Sequence, residues 1–440
     1  MKYYSTNGKA PIADLHKAVV KGLAEDRGLY MPEKINKLPK EFFDNIEKMS
    51  FQEIAYTVAS AFFGEDVDPD ALHDIVYDTL QFDCPVVNVK DNIYTLELFH
   101  GPTLAFKDVG ARFMARLLQY FIKQENNHKE VNVLVATSGD TGSAVANGFL
   151  GVDGIHVYVL YPKGKVSPIQ ECQFTTLGKN ITAIEVDGVF DDCQALVKNA
   201  FMDAELNEHM KLTSANSINV ARFLPQAFYY FNAYARMKEI ANTQHLSPNT
   251  QLVMCVPSGN FGNICAALFG HEMGLPIKRF IAANNANDIF YNYLQTGKYE
   301  PKPSKQTLAN AMDVGDPSNF ARIYDLYGKS HAKITSLISG ATYSDEQIKA
   351  TMRECYKDSG YILDPHGACG YQALKDGLQA GEVGVFCETA HPAKFKEKVD
   401  DILGIDVEIP ERLAAFMRGQ KQSVPMTKDF ADFKAFLMKQ

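Results

Sequence analysis

The sequence predicts an α/β protein of two open domains, each with a mainly parallel sheet, separated by a cleft and preceded by a helical N-terminal segment. Three observations predict this fold. The chain has 440 residues, more than one ordinary core accommodates. Apolar residues make up 46% and charged residues 22%, as in a typical globular protein. Short β-branched runs alternate with helical runs in two separate blocks, which is typical of parallel sheets covered by helices.

Residues 1–80 are predicted to form the helical N-terminal segment. Apolar residues recur there at three- and four-residue spacing, with interruptions at Pro32 and Pro39. The spacing predicts helices over 12–23, 41–48 and 51–63.

The first α/β domain, residues 81–220, contains three predicted strands, each followed by a helix. The strands are expected at 131–137, 155–161 and 181–186. A turn at 138–142, reading Ser-Gly-Asp-Thr-Gly, opens a helix over 143–150. The next helix begins near Ser167, where serine can cap the helix and the following proline can occupy its first position. The third covers 191–202.

The second α/β domain, residues 221–440, repeats this alternation. Strands are expected at 251–257, 279–283 and 383–387, and helices at 264–273 and 392–402. The turn at 258–263 reads Ser-Gly-Asn-Phe-Gly-Asn. Glycine turns between a strand and a helix expose backbone N–H groups that can hold an anion. One such turn is weak evidence. Two of them beside a reactive lysine indicate a phosphorylated ligand at the strands' carboxyl ends.

The lysine is Lys107. It follows a Gly-Pro turn and a short apolar run, and it precedes an amphipathic stretch over 109–120. A positive charge is disfavoured both at a helix N-terminus and beside apolar residues, so this position favours an uncharged, nucleophilic amine able to form an imine. The structural alternative is a surface lysine paired with Asp108.

Three further polar segments are candidates for the walls of a pocket. The run 213–222 precedes an aromatic helix, and its Arg222 has the forked shape that suits an anion, although the run also fits a simple loop and helix cap. Segments 364–367 and 388–392 each follow a strand-like run and are predicted to supply the remaining wall.

Composition excludes several other classes of protein. Lys and Arg total 44 against 53 Asp and Glu, a net charge of −9, which disfavours general nucleic-acid binding. No apolar stretch reaches the roughly 18 residues of a membrane-spanning helix, and the N-terminus does not resemble a secretory signal. The eight cysteines contain no Cys-x-x-Cys pair. We therefore expect a cytoplasmic protein with a small-molecule ligand.

Motifs of other enzyme classes are absent from the sequence. It has no Gly-x-Gly-x-x-Gly fingerprint and no Gly-x-x-x-x-Gly-Lys-Ser/Thr phosphate loop. It also lacks a Gly-x-Ser-x-Gly elbow and any histidine spacing suited to zinc. We expect neither a serine hydrolase nor a metal site.

Taken in order, six segments of the chain closely resemble the threonine synthase family in its longer microbial and fungal form. The resemblance covers nearly the whole chain, including residues 26–32, and the ordered set of segments is specific where any one alone is not. They are 100–108, 136–142, 214–219, 257–262, 310–314 and 389–395.

The resemblance implies a fold of the tryptophan-synthase-β type with pyridoxal 5'-phosphate in the cleft between the domains. It implies conversion of O-phospho-L-homoserine and water into L-threonine and phosphate, by γ-elimination and β-addition of water. Lys107 would form an imine with the cofactor aldehyde and then act as the base.

The resemblance also implies two sets of binding residues. Asp140 occupies the position near the cofactor's 3-oxygen where relatives commonly carry Asn, and Thr389 faces the pyridine nitrogen. The cofactor phosphate would be held by the loop residues Gly259, Asn260, Phe261, Gly262 and Asn263. The substrate would be contacted by Thr137, Ser138, Asn219 and Arg222.

Several alternatives stay open from the sequence. A threonine or serine dehydratase, a cysteine synthase or a phosphohomoserine lyase would share the Lys107 imine. A pseudoenzyme that binds a phosphorylated metabolite would not need this lysine. A nicotinamide dehydrogenase would need an acidic residue such as Asp187 for the ribose. We expect a monomer or a homodimer.

Overall fold

The computed structural model describes residues 1–127, 129–247 and 249–440. The chain forms two compact units, each assembled from separate stretches. Unit 1 contains Met1, 31–106 and 223–408. Unit 2 contains 2–30, 107–222 and 409–440. The sequence predicts the contiguous ranges 1–80, 81–220 and 221–440 as domains, and each unit combines residues from more than one of them. Unit 2 in particular contains stretches from near both ends of the chain, 2–30 and 409–440.

The strands form three sheets. They are β1 (Lys2–Ser5), β2 (Ala13–Asp14), β3 (Tyr30–Pro32), β4 (Val86–Lys90), β5 (Ile93–Glu97), β6 (Val131–Ala136), β7 (Ile155–Pro162), β8 (Ile181–Asp187), β9 (Lys211–Ser214), β10 (Gln251–Pro257), β11 (Arg279–Asn284), β12 (Ile338–Thr342), β13 (Glu382–Glu388) and β14 (Val424–Thr427). The sheet orders are β2-β1-β3, β12-β11-β10-β13-β5-β4 and β14-β8-β7-β6-β9.

Helices occupy most of the remaining chain. They are α1 (Leu15–Lys21), α2 (Lys40–Asn45), α3 (Phe51–Phe63), α4 (Pro69–Thr79), α5 (Lys107–Gln124), α6 (Asp140–Phe149), α7 (Pro168–Thr175), α8 (Phe190–Met202), α9 (Ala204–His209), α10 (Val220–Phe223), α11 (Ala227–Gln244), α12 (Gly262–Glu272), α13 (Ile289–Thr296), α14 (Phe320–Leu326), α15 (His331–Leu337), α16 (Asp345–Ser359), α17 (Pro365–Gly377), α18 (Lys396–Leu403), α19 (Glu411–Met417) and α20 (Phe430–Leu437). Short 3-10 turns cover Ile46–Lys48, Leu224–Gln226, Asn310–Met312 and Pro392–Phe395.

The six-stranded sheet lies in unit 1. Its strands pair in parallel except for β4, which runs antiparallel to β5. Every residue of β13 is buried, and α17 packs against β10 and β13. A strand buried on both faces reads as a continuous apolar run, which is why these strands can be predicted from the sequence. The parallel arrangement brings the carboxyl ends of β10, β13 and β5 to one edge.

The five-stranded sheet lies in unit 2, and all its pairs are parallel. The C-terminal stretch completes it, since β14 pairs with β8 and Phe433 and Leu437 of α20 belong to its apolar core. Lys421 fastens this stretch through ion pairs of 2.7 Å with Glu171 and 2.6 Å with Glu185. Contacts this distant in sequence explain why unit 2 is not one continuous range.

The structure confirms the predicted α/β class with mainly parallel sheets. Helices α3 and α8 and strand β10 lie where the sequence places them, within a residue. The N-terminal segment also contains β1, β2 and β3, which the sequence analysis did not anticipate, because strands of two to four residues are too short to show a period. Among the described residues, no helix is both long and apolar enough to cross a bilayer.

One buried ion pair at the amino edge of the unit 1 sheet gives a stability prediction. Glu382 accepts hydrogen bonds from Arg279 at 2.9 and 2.7 Å and from Lys278 at 3.0 Å, and Arg279 above all lowers the pKa of Glu382 to about 2. Since this pKa is depressed on folding, the stabilisation is present above the unfolded pKa near 4.5 and is lost as pH falls towards 2.

We expect Glu382→Gln to lower the free energy of unfolding by about 2 kcal/mol at neutral pH, because the charge-assisted bonds are weakened. Denaturant titrations at several pH values check this. The difference between variant and wild type must narrow as pH falls below 4.5; a constant difference would contradict the account.

Candidate functional site

The loop between β10 and α12, residues 258–263, is shaped by its own side chains. Ser258 Oγ donates to Asn263 Oδ1 at 2.8 Å, and Asn263 Nδ2 donates to the Pro257 carbonyl at 2.8 Å. Phe261 takes the left-handed conformation with φ 64° immediately before the helix, which is rare for a bulky residue. The loop is therefore held in a fixed, slightly strained form, as is common at functional sites.

The backbone N–H groups of residues 259–263 donate to no acceptor among the residues that the structure describes. They form a continuous series that leads into α12, a helix of eleven residues. The N-terminus of a helix carries a partial positive charge, and its exposed N–H groups are ready donors. Such an arrangement is suited to an anion, and a phosphate is the group that turns of this kind in α/β folds most often bind.

Glycine is required at position 259 by close packing. A Cβ atom built there would lie 2.6 Å from the Ala311 carbonyl oxygen and 3.0 Å from Met312 Cα. Both neighbours are backbone atoms, which cannot rotate away. On the next residue of the loop, the Asn260 carbonyl accepts from the Asn319 N–H at 3.2 Å. The loop is therefore held in place by the segments around residues 311 and 319, which pack against it.

Three buried amide oxygens surround this loop without a hydrogen-bond donor among the described residues. They belong to Asn260 in the loop, Asn284 at the end of β11 and Asn310 beside Ala311. Asn284 is 2% exposed, and its Nδ2 donates to the Ser258 carbonyl at 3.3 Å. Buried polar atoms in proteins are nearly always paired. A polar ligand or ordered water with donor groups therefore belongs beside the loop.

The carboxyl end of β13 holds the segment before Lys107. The Thr389 carbonyl accepts from the Phe106 N–H at 2.8 Å, and the His391 N–H donates to the Leu104 carbonyl at 3.0 Å. The Phe106 carbonyl accepts from the Tyr229 hydroxyl. Both main-chain groups of Phe106 are therefore engaged, and the start of Lys107 is fixed through its covalent bond to Phe106. Lys107 itself is half-buried and begins α5.

In unit 2, the Thr137 hydroxyl organises the turn at 138–142. It accepts from the N–H groups of Gly139 at 2.9 Å and Gly142 at 2.8 Å. Gly139 has φ 144°, and Gln170 packs so closely that a Cβ at Gly139 would lie 2.6 Å from its Nε2. This turn therefore directs two of its amides inward to Thr137, unlike the loop at 259–263.

The predicted site residues of unit 2 are held by defined partners. Asp140 is buried, and its Oδ1 accepts from Gln170 Nε2 at 3.0 Å. Asn219 donates to the carbonyls of Val19 at 2.9 Å and Ser214 at 3.1 Å. Its Oδ1 accepts from the Ala221 N–H at 3.0 Å, so both ends of the amide bind main chain.

Arg222 is 1% exposed, and its Nε donates to the Ala215 carbonyl at 2.7 Å. Ser138 is half-buried in the turn at 138–142. The structure thus brings Thr137, Ser138 and Asp140 together in unit 2, and Gly259, Asn260, Phe261, Gly262 and Asn263 together in unit 1. Thr389 lies at the same edge of the unit 1 sheet as that loop, since β13 pairs with β10.

Two buried carboxyl groups meet behind Thr389. Glu388 Oε1 accepts from the Asp364 N–H at 2.7 Å, and Asp364 Oδ2 lies 2.6 Å from His366 Nδ1. Burial first, and the neighbouring Asp364 second, raise the pKa of Glu388 far above its usual value, which favours its protonated form. The sequence analysis anticipated a wall from these segments but not this network. It also missed Gln170 and Tyr229, for which the sequence carries no signal.

The comparisons with known proteins agree along the chain. Residues 82–387 match the family described as pyridoxal-phosphate dependent enzyme, 2–80 match threonine synthase N terminus, and 367–437 match threonine synthase, C-terminal. The chain is 44% identical to threonine synthase of Serratia marcescens and 43% identical to that of Escherichia coli K12, each covering 100% of this chain and 99% of the relative.

Solved structures give the same result. The crystal structure of threonine synthase from Escherichia coli superposes with a TM-score of 0.92 at 43% identity and 100% coverage of both chains. The pyridoxal-phosphate-bound threonine synthase from Brucella melitensis gives 0.90 at 34% identity, covering 100% of this chain and 99% of that one.

The Thr137 geometry yields a prediction. Thr137→Val removes the hydroxyl and leaves the N–H groups of Gly139 and Gly142 buried without an acceptor, which should lower the free energy of unfolding by about 2 kcal/mol. Thr137→Ser is the matched control, since it keeps the hydroxyl. Denaturant unfolding of both variants checks the prediction. Equal stabilities for the two would show that the capping is unimportant.

Proposed function

The chain belongs to the threonine synthase family of pyridoxal-phosphate-dependent enzymes, and from this premise we propose how its own residues bind cofactor and substrate. It is a pyridoxal-phosphate-dependent enzyme of threonine biosynthesis. Its substrate in this proposal is O-phospho-L-homoserine, which with water gives L-threonine and phosphate.

The observation that supports this proposal most is the series of N–H groups at 259–263, for which the described part of the chain offers no acceptor. They suit the cofactor phosphate, because that group offers only acceptor oxygens and a double negative charge. Gly259 allows the loop to pack closely against Ala311, because it has no Cβ atom. The left-handed Phe261 directs the chain from the loop into α12. The residues present therefore fit the group that the family requires.

Lys107 is proposed to bind the cofactor aldehyde through Nζ and to move protons at the substrate. The bound cofactor supplies an electron sink that makes hydrogens on the neighbouring substrate carbon acidic. With the cofactor bound, Lys107 Nζ would accept such a proton from the substrate as a general base, a role that requires the amine in its neutral form. The fixed main chain of Phe106 supports this role, because it limits where the Lys107 side chain can begin.

Thr389 is proposed to face the cofactor's pyridine nitrogen with a neutral hydroxyl. Its carbonyl is already engaged by Phe106, which orients the residue. Burial raises the pKa of the preceding Glu388, so a negative charge at the end of β13 is disfavoured near that nitrogen. A neutral partner favours an unprotonated ring nitrogen, and hydrogen-bond donors around the ring must then stabilise the charge that develops.

Asp140, Thr137 and Ser138 are proposed to contact the cofactor's 3-oxygen and the substrate. Gln170 supports the first assignment, since it fixes the orientation of the Asp140 carboxylate. The two glycine amides held by Thr137 support the second, since they set the shape of the turn.

Asn219 and Arg222 are proposed to contribute to substrate binding in different ways. Asn219 acts by holding the loop of the substrate site in place, because both ends of its amide bind main chain. Arg222 keeps a buried positive charge suited to the substrate phosphate. We also propose a cytoplasmic location, which the eight free thiols support, and a monomer or a homodimer.

The experiment for Lys107 combines a spectrum with product analysis. Lys107→Ala should lose both the visible absorption of the covalently held cofactor and all threonine formation from phosphohomoserine, because no other amine replaces Nζ. Lys123→Ala, in the last turn of the same helix, is the matched control and should behave as wild type. Formation of 2-oxobutyrate as the sole wild-type product would overturn the proposed reaction.

The experiment for Arg222 separates substrate from cofactor. Arg222→Ala should raise the KM for phosphohomoserine by about ten- to a hundredfold, the value of one buried charged hydrogen bond, while the Kd for the cofactor changes less. Arg222→Lys keeps the positive charge but not the forked guanidinium, so its KM should lie between those of the wild type and Arg222→Ala. An equal loss of substrate and cofactor binding would show that Arg222 is misassigned.

A further inference from the structure

The segment that packs on Gly259 is held from behind by two side chains, Asp313 and the buried His366. It begins with the 3-10 turn Asn310–Met312 and continues through Asp313. Asp313 Oδ1 accepts from Asn285 at 2.9 Å and from the Thr307 hydroxyl at 2.7 Å. The second group is His366, which binds the segment at its midpoint.

His366 makes one hydrogen bond with each ring nitrogen. The Ala311 N–H donates to Nε2 at 3.1 Å, and Nδ1 lies 2.6 Å from Asp364 Oδ2. Because a backbone N–H can only donate, Nε2 must be the unprotonated nitrogen, and Nδ1 must donate to Asp364. The ring is 2% exposed and packs 5.1 Å from the Phe395 ring, so its orientation is fixed on every side.

Asp364 is anchored in turn. It is the N-cap of α17, where its Oδ1 accepts from the Gly367 N–H at 2.7 Å. Its own N–H donates to Glu388 Oε1 at 2.7 Å, and burial raises the pKa of Glu388 far above its usual value. The 2.6 Å distance between Asp364 Oδ2 and His366 Nδ1 indicates a strong and directional hydrogen bond. A continuous chain of hydrogen bonds therefore runs from α17 through His366 to Ala311, whose carbonyl touches Gly259.

We propose that His366 is a positioning residue for the anion loop: by holding Ala311 against Gly259, it keeps the amides of 259–263 directed at the bound phosphate. Nothing in this arrangement brings His366 to the reacting atoms, since its two nitrogens are occupied by Ala311 and Asp364. The inference rests on the proposed role of the loop in binding the cofactor phosphate.

Three variants separate the two hydrogen bonds. His366→Phe keeps a ring but removes both nitrogens. His366→Asn can still donate towards Asp364 but cannot reach Ala311. His366→Gln places an amide oxygen near the former Nε2 and can still accept from the Ala311 N–H. The measurement is the Kd of each apoprotein for pyridoxal 5'-phosphate and for pyridoxal, which lacks the phosphate, by absorbance titration.

We expect His366→Phe and His366→Asn to bind pyridoxal 5'-phosphate about tenfold more weakly, the equivalent of one lost hydrogen bond, with pyridoxal binding unchanged. His366→Gln should recover most of the loss. A general loss of packing would weaken both ligands alike, so the ratio of the two Kd values distinguishes positioning from stability. Glu382→Gln, a buried polar change at the opposite edge of the same sheet, should leave this ratio unchanged.

Each other result decides against the inference. If His366→Phe and His366→Asn retain the wild-type ratio, or lose both ligands equally, His366 does not act through the anion loop. If the wild type itself binds the two ligands equally well, the assigned role of 259–263 fails first, and the inference falls with it. If only one of the two variants folds, the folded one gives the same test.

Discussion

One electrostatic requirement underlies the site: the row of backbone N–H groups at 259–263 needs an acceptor, and no described residue provides one. The requirement follows from the fold of the parallel sheet. A short loop joins the carboxyl end of β10 to the N-terminus of α12, where backbone N–H groups have no partner within the helix. The left-handed Phe261 and the crowded Gly259 keep the row open instead of letting it fold back on itself. The turn at 138–142 shows the contrast, since Thr137 satisfies two of its amides internally. Similar sequence patterns thus give one open anion site and one closed turn.

The carboxyl groups behind the site differ in their environments. Burial raises the pKa of Glu388 far above its usual value, whereas the Asp364 carboxyl lies 2.6 Å from His366 Nδ1 and caps α17. Asp313, on the segment that covers Gly259, has its pKa raised to about 6, chiefly by burial. Burial thus disfavours the charged form of two carboxyl groups that lie behind the loop of unit 1, Glu388 and Asp313.

The sequence predicted the parts of the site that are local along the chain. The loop 258–263 lies directly after β10, so its position at the carboxyl end of that strand follows from alternation alone, and Lys107 begins α5 after the predicted apolar run. The sequence could not predict the pairing of His366 with Ala311, which are 55 residues apart, or of Gln170 with Asp140, which are 30 apart. Such contacts depend on tertiary packing. The hydrogen bond from the Asn219 amide to the Val19 carbonyl could not be predicted for the same reason, because the two residues are 200 positions apart.

Amide hydrogen exchange tests the central claim most directly, since it reports on the N–H groups themselves. Exchange in a peptide spanning 258–264 would be measured by mass spectrometry in the apoprotein, with pyridoxal, and with pyridoxal 5'-phosphate. The account predicts strong slowing with the phosphorylated ligand and little with pyridoxal, while the peptide containing 138–142 does not distinguish the two to the same degree. Equal protection of 258–264 by both ligands, or none, would contradict it.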